Sequence, residues 1–235
     1  MARQVRSEVT RRKILTAAIE VFGEVGYSAA GWGTIIERTG MTKGALYHHF
    51  DSKESLASAI IEEGGTTILA GFRNVCGAAS PGLENLLHGT FTIVGMLSSD
   101  ETAHAAEHLT CTLRGFNDAA GHFCTGLVES LAAEARRAIT EGDLQKDLDP
   151  VVFSESIVGA LFGTRALADA MSGQDAPNDV AADLARLTRV WELLLPGVVS
   201  EASLPYFRQF LSREAMRHAR PAVSRSETVQ VSETG

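Results

Sequence analysis

Within seven positions the chain places a hydroxyl, an ammonium, a phenol and an imidazole: Thr42, Lys43, Tyr47 and His48, with Gly44 between them. This is chemistry for gripping a polyanion rather than for breaking a bond. At 100° per residue Leu46 and Phe50 share one side of a short helix, and Gly44 and His48 fall opposite, flanked by Tyr47 and Ala45. Gly44 removes a side chain where a backbone must come close. Thr42 can cap the helix and offer its hydroxyl and the helix N-terminus to a phosphate. Lys43 adds a long cationic arm, and Tyr47 and His48 carry polar tips for phosphates or base edges. Lys53 opens the next helix, where a cation and free N–H groups converge. Arg3 and Arg6 are expected to precede the first helix on a segment free to reach an adjacent groove. Short helix-turn-helix units also occur as inert packing corners, so the pattern alone leaves both readings open.

Other chemistries find less support. There is no nucleophile motif, no H-E-x-x-H, no phosphate-cradling glycine loop and no paired carboxylate site. An enzyme is not expected, nor is a cofactor. His104 and His108 stand at i and i+4, the spacing of two metal ligands on one helix face, but no third ligand is tied to them, so no metal is expected. Cys76, Cys111 and Cys124 are odd in number, contain no C-x-x-C pair, and read as small buried hydrophobes.

Charge is divided unevenly. The 235 residues carry a net charge of -8, yet residues 1–53 hold eight cations against five anions, a local +3 that leaves -11 for the remainder. A basic module that meets nucleic acid, attached to an acidic one that does not, fits this division. Apolar runs such as Leu193–Leu195 and Ile68–Phe72 are far shorter than the roughly 20 residues of a membrane span. No membrane partner is expected, and no leader-like apolar segment directs the chain out of the cytoplasm.

The elements that must position these groups read as helices throughout, about ten in all with no sheet. Leu15, Ala18, Phe22 and Val25 form one stripe of a first helix over about 8–25, stopped by Gly26. Short helices follow around Ile35–Ile36, ended by Gly40, and over 43–49. A fourth starts at Asp51 or Ser52, with Asp51 and Glu54 spaced as a capping box, and runs to about Cys76. Ser80-Pro81 and Asp149-Pro150 each place Pro just after an N-cap residue. Further helices are expected near 102–114, 119–141, 180–195 and 204–218, with a stop at Pro196-Gly197. Residues 172–179 read as a polar loop. The expected organisation is a DNA-binding unit over 1–53, a helical domain over 54–218 and a disordered tail over 219–235.

The string Thr42-Lys43-Gly44-Ala45-Leu46-Tyr47-His48-His49-Phe50, followed by Ser52-Lys53-Glu54 and Leu56, closely resembles the DNA-binding signature of the TetR family of bacterial regulators. Ile14-Leu15, Ala17-Ala18, Phe22 and Gly26-Tyr27 stand where that family has its first-helix core and Gly-Tyr turn. The family usually places Thr or Ser before its second helix. Here Ala29-Ala30-Gly31-Trp32-Gly33-Thr34 predicts a weakly capped start and one phosphate contact fewer, unless Thr34 substitutes. Trp32 reads as a core plug.

The resemblance implies an all-α protein: an N-terminal helix-turn-helix unit and a C-terminal domain that dimerises through its last long helices and holds a ligand inside. Met1-Ala2-Arg3-Gln4-Val5-Arg6, Gly163-Thr164-Arg165 and Trp191 with Pro196-Gly197-Val198 resemble the γ-butyrolactone receptor branch. That branch implies a homodimeric repressor on double-stranded palindromic operator DNA, released by a small-molecule effector such as a lactone or furan. The expected ligand residues are Phe91, His108, Thr112, Phe123, Thr125, Leu127 and Thr164, with His104 and His122 as further polar candidates. Two positions depart from the branch. Phe123-Cys124-Thr125-Gly126-Leu127 stands where a pocket Trp is common, and Gly64 where a Gln is common. A related protein that senses a pathway intermediate, or binds DNA constitutively, is the alternative. Gly159 and Gly163 imply close helix approach, between subunits or within one chain.

Overall fold

The computed structural model describes residues 2–113, 115–172 and 179–219; the side chains of Ala2, Arg3, Gln4, Ser172 and Ala219 are not among what is described. The expected polar loop therefore lies largely outside the described residues, as do the tail from 220 onward and the reach of Arg3. Among the described residues the chain forms ten helices and one isolated antiparallel bridge, Leu144 to Val199. They are α1 (Ala2–Ala29), α2 (Trp32–Thr39), α3 (Lys43–His49), α4 (Lys53–Val75), α5 (Gly82–Ser99), α6 (Glu101–Leu113), α7 (Asp118–Glu141), α8 (Pro150–Ser172), α9 (Val180–Val198) and α10 (Leu204–Ala219).

Four local expectations are corrected. The first helix begins at Ala2, so Arg6 rides on it and does not lie on a free arm ahead of it. Gly26, at φ 77°, kinks the helix, which resumes for one more turn. The capping box of α4 is made by Ser52 and Ser55, whose side chains answer each other's backbone N–H. Asp51 stays outside it, and hydrogen bonding from Ser55 holds its carboxyl below the usual range. Pro196 does not stop α9 but sits inside its last turn, where it removes the one backbone bond to the Glu192 carbonyl and the helix ends two residues later.

Helices as short as α2 and α3 cannot persist alone. Ile35, Leu46 and Phe50 are buried and join Ile14, Leu15, Ala18, Val21 and Phe22 of α1 and Leu56 of α4 in the apolar core. That core is continuous with the one beneath α5 to α10, so α4 is rooted in both parts of the molecule. In the larger part Trp191 is fully buried, donates from Nε1 to Thr90 Oγ1 at 3.0 Å and stands edge-on to Phe153.

Glycine sets the closest approaches to α4. A Cβ on Gly64 would lie 2.5 Å from Ala106 Cβ and from the Thr102 carbonyl of α6, and one on Gly65 would lie 2.8 Å from the Phe123 ring of α7. The absence of a side chain at Gly64 brings α6 directly against α4.

Pro150–Met171 of α8 is long and apolar enough, by length and composition, to cross a membrane, which the short-run reading of the sequence did not register. Only 33% of its most apolar stretch is buried. Val152, Ser156, Gly159 and Leu167 lie exposed along one face, Leu167 at 63%, and a Cβ on Gly159 or Gly163 would meet nothing within 4 Å. Packing within the chain therefore does not account for those two glycines.

Candidate nucleic-acid interface

The surface predicted to read DNA is open. Thr42, Lys43, Gly44, Tyr47 and His48 are exposed, while Leu46 on the opposite side is fully buried. Thr42 caps α3, its Oγ1 accepting from Ala45 N at 3.3 Å. A Cβ on Gly44 would meet nothing within 4 Å, which leaves room for an approaching backbone. Lys43 Nζ lies 5.7 Å from the centroid of the Tyr47 ring, and Trp32 stands edge-on to the same ring, so the phenol is propped from both sides. Trp32 is half-buried and braces the reading helix rather than plugging the centre of the core.

The turn before α3 depends on Gly40, whose φ of 62° lets its N–H close onto the Ile36 and Glu37 carbonyls. At the start of α2, Gly31 is the N-cap and supplies no side-chain bond, matching the weak cap expected from the sequence. Thr34 is exposed on the first turn of α2 and free to face a backbone phosphate.

Not every cation of this unit faces outward. Lys53 Nζ donates to the carbonyls of Tyr27 at 2.7 Å and Ala30 at 3.1 Å and sits 4.4 Å from the Tyr27 ring centroid. Its position at the α4 start is as expected, but its charge closes the end of α1. Arg38 is likewise held by Glu24 and Glu20, at 2.6 and 3.0 Å. Arg6 is exposed on α1.

The expected ligand residues do not form one lining. Phe91, Phe123 and Leu127 are buried in the core, and Phe123 packs on Phe162 at 6.2 Å. His108, Thr112 and Thr125 are exposed, as is His122, and the Thr112 hydroxyl returns to the His108 carbonyl. These outward positions correct the expectation that they line an interior pocket in this conformation: helix phase turns them to solvent. Thr164 does face inward, beside a void lined by Val94, Leu161, Arg165, Asp183 and Leu187 with room for about one water molecule.

Next to Thr164 lies a cluster that local sequence did not reveal. Arg165, 5% exposed, pairs with Asp183 of α9, donates to Ser98 Oγ of α5 at 3.2 Å, and lies 3.2 Å from His104 Nδ1 and 3.7 Å from Glu107 of α6. Burial raises the Glu107 carboxyl to about 7, with Arg165 opposing. Burial and the adjacent guanidinium both lower the His104 ring. The one available signal was that Arg165 is the sole cation of apolar α8. The three cysteines are half-buried thiols, and burial pushes Cys76 up to about 12.

The sequence profile of bacterial regulatory proteins of the tetR family matches residues 14–60, the segment that forms the open reading surface. The A-factor receptor protein of Streptomyces griseus is 28% identical over 228 residues, 97% of this chain and 77% of that protein. A crystal structure of a gamma-butyrolactone receptor (ArpA like protein) superposes with a TM-score of 0.74 at 26% identity, covering 90% of this chain and 99% of the other. Residues 14–60 thus carry a DNA-binding segment of the tetR-family type, and the rest of the chain is similar in fold to gamma-butyrolactone receptors. Another TetR family structure, CprB from Streptomyces coelicolor in complex with its biological operator sequence, gives a TM-score of 0.71 at 25% identity, covering 90% of this chain and 99% of that one. The helix-turn-helix formed by α2 and α3 lies wholly inside the matched segment.

Proposed function

We propose that this chain is a homodimeric transcriptional repressor that binds a palindromic operator and is released by a small hydrophobic signalling molecule of the γ-butyrolactone or furan type. The observation that carries the reading is the extent of the likeness: the A-factor receptor matches 97% of the chain, well beyond the DNA-binding segment. The exposed stripe of α8, with Leu193 of α9 exposed at 82%, supports a second copy packing there. Two α3 helices related by a two-fold axis would enter successive major grooves about 34 Å apart. Thr42, Lys43, Gly44, Tyr47 and His48 meet DNA, with Arg3, Arg6 and Thr34 on flanking phosphates and Lys53 holding the unit together.

Effector binding favours a conformer in which α4, rooted in both parts, swings the two α3 helices out of register. A cleft of about 280 Å3 lined by Arg12, Thr16, Glu63, Thr67 and Asp100 separates part of α1 from α4 and the start of α6, leaving space for that pivot. A coupling of about 1–3 kcal/mol would weaken operator binding roughly 5- to 150-fold. The test is a gel shift at low salt with palindromic DNA from beside the chain's own gene, repeated with lactones and furans. Absence of any shifted band overturns the repressor reading, and a band that no lactone or furan removes overturns the effector class.

The tight packing of α6 and Phe123 on Gly64 and Gly65 favours a second reading, an effector of different shape such as a late pathway intermediate. Thermal shifts with both ligand classes separate the two, because only a compound that prefers the native state raises the melting temperature.

A further inference from the structure

Away from the DNA-facing surface and the Arg165 cluster, three side chains from two helices converge. Glu214 and His218, at i and i+4 on α10, project from one face of that helix toward His88 of α5. His88 Nδ1 lies 2.7 Å from Glu214 Oε2, and His218 Nε2 lies 3.5 Å from the same oxygen. One ligand atom from each of the three falls within 4.8 Å of the others. The Glu214 side chain is 7% exposed, and its other oxygen faces Arg217 at 3.5 Å, which leaves Oε2 to both histidines.

His218 Nε2 is buried and, among the described residues, has no hydrogen-bond partner closer than the 3.5 Å approach of Glu214 Oε2, a costly state for a ring nitrogen unless something binds it. The ring is held in place by Phe91, 5.5 Å away centroid to centroid.

We propose that His88, Glu214 and His218 bind a divalent transition-metal ion of the zinc class, pinning α10 to α5. Two imidazoles and one carboxylate are a borderline donor set suited to zinc or cobalt, with a fourth position left for water. Bonds of about 2.0–2.2 Å in a tetrahedron place neighbouring donor atoms about 3.3 Å apart. The 3.5 Å pair is already close to that spacing, and the 2.7 Å pair must open by about 0.6 Å, within reach of a side-chain rotation. The i, i+4 pair noticed in the sequence is a poorer candidate, because His104 faces the Arg165 guanidinium at 3.2 Å and His108 points to solvent.

The experiment uses the full, tag-free chain stripped with a chelator. Cobalt(II) should give the visible bands of a four-coordinate site at one ion per chain, zinc should displace it, and zinc at 100 times its Kd should raise the melting temperature by roughly 5–10 °C. His88→Gln and His218→Gln should each abolish the bands and the shift, with circular dichroism showing that each variant is folded. His48→Gln/His49→Gln on the reading surface should retain both. Absence of bands and of any zinc-dependent shift in the unaltered chain overturns the site, as does a response that survives in folded His88→Gln and His218→Gln.

Discussion

The reading surface of α3 and the cluster around Arg165 are both polar constellations, but they are built in opposite ways. Around α3 the polar groups lie within one turn and a half of helix, face solvent, and are anchored from behind by a single buried leucine. Around Arg165 they come from α5, α6, α8 and α9, face one another, and are walled off from water. The first is poor in internal partners because its partner is outside the chain. The second finds most of its partners internally, although Arg165 Nε stops 3.7 Å short of Glu107, and its cost or benefit falls on stability. A substitution in one should move operator affinity and spare stability, and a substitution in the other should do the reverse first.

Arg165→Ala should have the largest effect, because it strips the buried cation from both Asp183 and Glu107 and leaves Asp183 only the more exposed Arg186 at 2.6 Å. A loss of about 3–5 kcal/mol in chemical denaturation is expected, and a loss under about 1 kcal/mol would show the pair to be dispensable.

Glu107 gives the cluster a pH signature. Its folded pKa of about 7 lies above the ordinary 4.5, so between those values the folded chain holds a proton that the unfolded chain has released. Its contribution is therefore most favourable at low pH, and stability should fall as pH rises from about 4.5 to about 7, by up to about 3 kcal/mol. Glu107→Gln should flatten that slope in denaturation curves taken across the range.

Gly64→Leu tests how the two regions are joined. Forcing a side chain against Ala106 and the Thr102 carbonyl should cost about 1–3 kcal/mol and shift α6 relative to α4. Operator affinity should change along with the melting temperature, which would distinguish α4 from an inert strut.

On the reading surface, Lys43→Ala should leave the melting temperature unchanged and lower the slope of log affinity against log salt by about 1 per recognition helix. Thr42→Ala should cost folding only about 1 kcal/mol from the lost cap, and its operator affinity should fall as α3 frays.

The sequence was legible where structure is local. The stripe of α1 through Leu15, Ala18 and Phe22, though not the exposed Val25, the caps at Thr42 and Asp149, and the outward phase of Gly44, Tyr47 and His48 follow from 3.6-residue periodicity and from side chains bonding their own backbone. The errors there were small: Arg6 proved helical because nothing local ends α1 ahead of it, and Ser55 displaced Glu54 in the capping box. The effector domain was legible only as helices. Whether His108, Thr112 and Thr125 face in or out depends on how α6 and α7 roll against α4, and apolar periodicity in alanine-rich helices leaves that roll poorly defined.

By itself, then, the sequence determined an all-helical chain, the basic N-terminal unit and the side chains it offers to DNA, because each depends on neighbours within about four residues. Tertiary structure alone decided that Lys53 closes α1, that Arg165 meets Asp183 and Glu107, and that His88 meets Glu214 and His218. Those pairs lie from 18 to 130 residues apart, on separate helices whose mutual rotation is set by packing. No local pattern encodes such a rotation; it emerges only when the whole core closes.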